Sequence, residues 1–268
     1  MAITSLDGAL AGMQAPQDFL KVGGTMEAAG VHYSPFYVTG RPGAAVAPSP
    51  GLAGAALTTY SGQIPWSNPV SGNSYLARFS ASASVAGTLI LYDRLWHNSG
   101  ITVTTTTGQT INSATLPARD RNGSTDGVGV MVGIEVSTAT TNASPVTNTT
   151  LTYTDDAGTG SKTATISSFP ATSVAGTFVP FQLAAGDTGV RSIQTLTLGT
   201  SYGAGAIHLV AYRVLARVDL PIANVGAAIN SISGGFVRLY NNTVPSLLWL
   251  PTATTATTIS GQMIVTQG

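Results

Sequence analysis

The sequence contains no cysteine, so neither disulfides nor thiolate-held metals can brace the fold, and packing with backbone hydrogen bonds must do so. Charge is nearly as scarce: Asp, Glu, Lys and Arg make up 8% of the 268 residues, against roughly 25% in an average soluble domain. Lysine is almost missing and is represented only by Lys21 and Lys162. The formal net charge is zero and the basic residues do not cluster, which removes the footprint needed to hold a phosphate backbone, so no direct nucleic-acid partner is expected. No run reaches the roughly 20 apolar residues of a membrane span, and the first 20 residues carry Asp7 without a basic segment leading into an apolar one. Neither a membrane nor an export signal is expected.

Gly, Thr, Ser and Ala fill the places that charge leaves. A neutral surface offers little resistance to association, so assembly into a larger body, a homo-oligomer, is the expectation. The length suffices for one large all-β domain or two smaller ones with a sizeable core.

Ser5 as a cap, with Leu6, Leu10 and Met13 at three- and four-residue spacing before Pro16, predicts a short helix. From Gly23 to Pro69 the chain is dense in Gly and Pro, as in Thr39–Gly54 (TGRPGAAVAPSPGLAG), and no regular period is sustained. Residues 1–70 therefore read as an arm and extended segment, its helix packing either on its own domain or on a neighbouring subunit, and the segment after it either ordering on a neighbour or serving as a flexible linker.

After Asn73, runs of Val, Ile, Thr, Leu and Tyr alternate with turn residues. They predict strands near 75–82, 87–96, 127–138, 148–154, 161–167, 176–183, 190–198, 206–215, 235–240, 246–250 and 262–266. The clearest hairpin is Thr150–Ile166, where DDAGTGS supplies the turn. Gly87–Leu95 and Ile207–Val218 are the most apolar stretches and should be central to the core, the latter strand or helix by period. The expected fold is all-β, a β-sandwich or jelly roll over residues 71–268 with an extended N-terminal arm containing a short helix. Arg94 and Arg119, beside Asp93 and Asp120, read either as residues with a partner within the fold or across an interface, or as solvated pairs at a strand end.

Motifs for chemistry are sparse. Gly199–Gly203 (GTSYG) fits the serine-hydrolase pattern, but GAGAIHLVAY after it reads as turn and strand, and His208 follows too closely to be a late triad histidine. His32, His97 and His208 lack zinc spacing, and Asp155 and Asp156 lack the alternating ligands of a calcium loop. Gly127, Gly129 and Gly133 in GVGVMVG match a nucleotide fingerprint only superficially and read as a glycine-rich strand. Trp66, Trp96 and Trp249 are candidates for a carbohydrate groove, with core packing as the competing assignment. No catalytic, cofactor-binding or metal residue is assigned, and an enzyme is not expected.

The segments LYDRLWHNSGI (Leu91–Ile101), LPARD (Leu116–Asp120) and FQLAAGDTGVRSI (Phe181–Ile193) resemble those in structural proteins encoded among the head genes of tailed bacteriophages, over roughly Gly87–Leu220. That resemblance implies a β-rich virion component, a capsid decoration or cement protein whose partner is the major capsid protein, located in the virion after assembly in the host cytoplasm. It supplies no functional residue. Nothing resembles the α/β mixture with a long spine helix of the usual tailed-phage major capsid fold. A tail, collar or fibre component binding a host surface is the nearer alternative, and a serine hydrolase using Ser201 the distant one.

Overall fold

The computed structural model describes residue 3, residues 5–24 and residues 29–268. Strand accounts for 42% of the chain and helix for 5%, in several antiparallel sheets, which is the all-β class expected. The order begins with α1 (Leu6–Ala11), β1 (Gln17–Lys21), β2 (His32–Tyr33), a 3-10 turn at Pro35–Tyr37, β3 (Gly40–Arg41), β4 (Ala55–Ala56), β5 (Ser74–Ala83), β6 (Gly87–His97) and β7 (Gln109–Thr110). It continues with β8 (Val130–Thr138), β9 (Thr149–Asp155), β10 (Lys162–Ile166), β11 (Thr177–Pro180), β12 (Val190–Thr197) and β13 (Ala206–Leu220). β14 (Ala227–Asn230), α2 (Ser231–Gly234), β15 (Arg238–Leu239), β16 (Pro245–Pro251) and β17 (Ile259–Gln267) follow. Among the described residues no helix is long and apolar enough to cross a membrane.

The chain forms two compact units. Unit 1 is built from Met1–Val46, Thr58–Asp93 and Val214–Gly268, and unit 2 from Ala47–Leu57 and Arg94–Arg213. The boundary expected at residue 70 is therefore not where the structure divides. The reason is long-range pairing: β1, from the expected arm, pairs with β17 at five consecutive positions, Gln17↔Met263 to Lys21↔Ile259. Residues 1, 2, 4 and 25–28 of that arm lie outside the described residues.

In unit 1, one sheet has the order β14-β5-β17-β1-β3, with β15 also on β5. Its inner face buries Phe19, Phe79, Ile259 and Met263, with the Phe19 and Phe79 rings stacked at 5.8 Å. β5 changes phase midway: Ser74 and Leu76 are buried, then Ala77, Phe79, Ala81 and Ala83. The switch comes from a β-bulge at Ala77, because β17 pairs Ile264 with Arg78 and the next residue, Val265, with Leu76. A separate pairing joins β16 to the first part of β6, Pro245↔Asp93 to Pro251↔Gly87, and β16 meets β2 at Trp249↔Tyr33.

The predicted helix is α1, with the Gly8 amide donating to Ser5 Oγ at 3.1 Å. Its buried residue is Ala9, whereas Leu6, Leu10 and Met13 face solvent. The helix is tied to its own unit, where the Gln14 amide donates to the Val265 carbonyl at 2.8 Å.

Unit 2 is a two-sheet sandwich. One sheet has the order β10-β9-β12-β7, and in the other β8 lies between β11 and the Ala206–Arg213 part of β13. The core between them takes the alternate residues Val130, Val132, Ile134 and Val136 of β8, Ile207, Leu209 and Ala211 of β13, and Leu151, Tyr153, Ile193 and Leu196 from the facing sheet. The period of β13 resolves as strand. The Thr150–Ile166 hairpin forms as expected, pairing Tyr153 with Lys162 through Thr149 with Ile166.

Candidate functional site

The most concentrated chemistry is buried in unit 2, on strand faces opposite the apolar core. Arg94 donates to both carboxylate oxygens of Glu135, Nη1 to Oε1 at 2.9 Å and Nη2 to Oε2 at 2.7 Å, and both side chains are wholly buried. Its Nε donates to His97 Nδ1 at 3.2 Å. His208 stands opposite Glu135 in the β8–β13 register. Its Nδ1 lies 2.8 Å from the Asn98 carbonyl and its Nε2 2.7 Å from Ser137 Oγ. Because a carbonyl only accepts, Nδ1 carries the proton, and Nε2 accepts from the Ser137 hydroxyl.

Burial and then the Arg94 charge push His97 down to about 3. Burial also lowers His208, against the opposing effect of its hydrogen bond to Asn98. Both imidazoles are therefore neutral near pH 7, and the only formal charges in the cluster are the two that cancel. A serine hydroxyl donating to a neutral imidazole whose other nitrogen is fixed is the arrangement of a nucleophile and its base. Ser137 is the bulged residue of β8, where Val136 pairs with Ile207 and Thr138 with the preceding Ala206, and it lines neither of the larger surface clefts of unit 1.

The serine of the GTSYG match lies elsewhere. Ser201 is exposed, and its Oγ accepts from the Gly203 amide at 3.0 Å in a local turn, while His208 is engaged by Ser137 and Asn98. The buried residue of GTSYG is Tyr202, stacked on Phe169 at 4.5 Å with its hydroxyl 2.9 Å from Thr149 Oγ1, and burial pushes its phenol up to about 12. Gly199 passes so close to the Thr147 carbonyl that a Cβ there would collide with backbone. The motif is thus a packed turn.

Arg119 is buried on the carbonyls of Leu57 and Arg94, and Asp93 accepts from the Val244 amide. Burial works against the charge of Asp120, but hydrogen bonds from Ser124, Val128 and Asn122 outweigh it and hold the carboxyl below its usual range. Asp155 accepts from the Thr159 amide in the hairpin turn and faces Lys162 at 3.5 Å. Gly127 and Gly129 adopt positive φ just before β8, and Gly133 lies inside it against the Phe178 ring. Among the described residues no group of three or more His, Asp or Glu side chains is placed to hold a metal ion.

Glu135 was not singled out in the sequence, although it carried a signal: it is one of only two glutamates and interrupts the apolar run VMVGIEV. In so apolar a strand its carboxylate needs a buried cation, which Arg94 supplies.

Among the described residues, two surface clefts of unit 1 are large enough to admit a small molecule. A broad groove of about 630 Å³ crosses the outer face of the β14-β5-β17-β1-β3 sheet and includes Asp18, Arg41, Arg78, Ser80 and Gln262. A second, of about 240 Å³, is lined by Gln14, Gln17, Gln267, Trp66, Ser67 and Val265, with no charged side chain. Trp96 and Trp249 are wholly buried, so of the three tryptophans only Trp66 lines a cleft.

No family model matches the chain, and no curated protein matches its sequence at a significant level. Solved structures from infectious bursal disease virus are similar to it over most of the chain. One is the Gt strain, with 11% identity, 95% of this chain and 82% of the other covered and a TM-score of 0.21. Another is the VP2 subviral particle, with 10% identity, 95% and 81% covered and a TM-score of 0.19. Scores of this size do not establish a common fold, and identity this low says nothing of a shared role.

Proposed function

We propose that this chain is a structural protein of a viral particle, a decoration or cement protein that stabilises a tailed-phage head by binding neighbouring major capsid subunits. One observation carries the reading: of the twelve large apolar side chains exposed among the described residues, eleven belong to unit 1, Leu52 being the exception. Eight charged residues among the described ones are meanwhile buried, namely Lys21, Asp93, Arg94, Arg119, Asp120, Glu135, Asp155 and Arg213. The remaining surface is poor in the charge that keeps a monomer soluble, and apolar groups left in water favour burial against a partner.

Unit 1 is, on this reading, the docking unit. Ile222, Val225, Ile232 and Phe236 all lie in the stretch after β13 that runs beside the β14 edge of its sheet. The protein assembles in the host cytoplasm, associates with itself as a trimer and performs no catalysis; the Ser137–His208 pair serves as a polar strut between β8 and β13.

A reconstruction of purified particles, together with sedimentation of the free protein, tests this. Density for the chain on the head shell is expected, and Ile232→Glu combined with Phe236→Glu should weaken attachment by about tenfold or more, given about 1.5–3 kcal/mol for each large apolar side chain buried. Absence from the particle, or a position on the tail, overturns it. Covalent labelling of Ser137 by a fluorophosphonate probe would overturn the non-catalytic part.

A further inference from the structure

We infer that the Trp66 cleft of unit 1 is a binding site for a neutral saccharide. The inference stands on the cleft's own chemistry and holds wherever the chain is located. Trp66 is half-buried, and its indole Nε1 donates to the Thr243 carbonyl at 2.6 Å, which fixes one edge of the ring. Around it are three glutamines, two from the segment 14–17 and one from the end of β17, and each amide is anchored through its nitrogen. Gln14 Nε2 donates to the Gly12 carbonyl at 2.8 Å, Gln17 Nε2 to Ala15 at 3.1 Å and Gln267 Nε2 to Ser67 at 3.0 Å.

Those anchors leave all three amide oxygens as acceptors that no hydrogen bond reaches among the described residues. Each amide nitrogen keeps a second N–H, and the Ser67 hydroxyl adds a group that both donates and accepts. Groups held in place before binding spare a ligand much of the ordering cost.

The ligand class follows from what the lining offers. Without a charged residue the cleft has nothing to hold a phosphate, a carboxylate or an ammonium group. A fully apolar ligand would strand the amide groups unsatisfied. A pyranose ring meets both demands, laying its C–H face on indole while its hydroxyls exchange hydrogen bonds with amides. Pockets for drug-sized ligands run about 300–1,000 Å³, so a cleft of about 240 Å³ takes one or two sugar rings.

The test uses the full chain with maltotriose, cellotriose, lactose and mannotriose, followed by saturation-transfer NMR and calorimetric titration. Binding of at least one at millimolar or tighter Kd is expected. Trp66→Ala and Gln17→Ala should each weaken it by about tenfold, a factor that corresponds to about 1.4 kcal/mol. Because Trp66→Ala also removes a bond to the backbone, Trp66→Phe keeps a ring in the cleft and should retain most of the binding. Arg41→Ala and Arg78→Ala, in the separate groove, should leave it unchanged. Four failed titrations with folded protein overturn the inference, as does undiminished binding by both Trp66→Ala and Gln17→Ala. Preference for a nucleoside or an acidic sugar over every neutral one overturns it too.

Discussion

Arg94 and Glu135 neutralise each other where neither reaches water, and the energetic consequence is asymmetric. Removing one partner strands the other charge, so Arg94→Leu or Glu135→Leu should each cost about 3–5 kcal/mol in denaturant melts. The double change to Leu at both positions should recover most of that loss, because it removes the desolvation cost of both ions. The imidazoles beside them make unit 2 acid-sensitive. In the unfolded chain a histidine takes up a proton near 6.5, whereas folded His97 resists until about 3. The unfolded state therefore binds more protons in that window, and stability must fall as pH drops through it. Lowered His208 acts in the same direction, and lowered Asp120 adds a further loss at still lower pH. Melting temperatures measured between pH 8 and 4 should decline, and His97→Gln should flatten the decline. Around the GTSYG turn, Tyr202→Ala should destabilise by about 3–5 kcal/mol through the cavity it leaves. Ser201→Ala should stay within about 0.5 kcal/mol, since Ser201 is exposed.

Single elements were legible where their pattern is local. The hairpin at Thr150–Ile166 announces itself through a Gly/Asp turn between β-branched residues, and the α1 cap through Ser5. β1 did not, because Gln17, Asp18 and Lys21 carry no strand texture and become a strand only through partners some 240 residues away. Lys21 also hides its role: its ammonium donates to the carbonyls of Val38, Pro42 and Gly43, and burial lowers it to about 8. β5 shows how one residue can obscure alternation, and it yields a sharp prediction. Ala77 is the extra residue of the bulge, so deleting it leaves Leu76 and Phe79 on the inner face with Arg78 between them, in register with Val265, Met263 and Ile264. Deleting Ser80 instead moves one side of the strand to the wrong face. The first deletion should give a folded protein by circular dichroism and the second a protein with a collapsed melting transition.

At the scale of the whole molecule, the all-β class was readable from composition and strand spacing, whereas the division into units was not. No change of texture marks residues 46, 57, 93 or 213, and the apolar run of β6 passes straight through the third of these points. Contact-forming segments far apart in sequence leave no local trace. The buried cluster shared this obscurity, since Arg94, His97, Glu135 and His208 come from three strands. For the same reason the cleft around Trp66 brings together Gln14, Gln17 and Gln267 from opposite regions of the sequence.

The central place of β17 also imposes an order in time. β17 lies between β5 and β1, so the principal sheet of unit 1 cannot close until residues 259–267 have been synthesised. Every segment of unit 2 has by then emerged, since its last residue is Arg213. A growing chain thus finishes the inserted sandwich first, while α1, β1 and β5 wait for their partner with apolar faces uncovered. A chain ending at Thr258 should accordingly keep slow amide exchange in β8, β9, β12 and Ala206–Arg213 and lose it in β1 and β5. Such a nascent chain is also where chaperone demand should be highest.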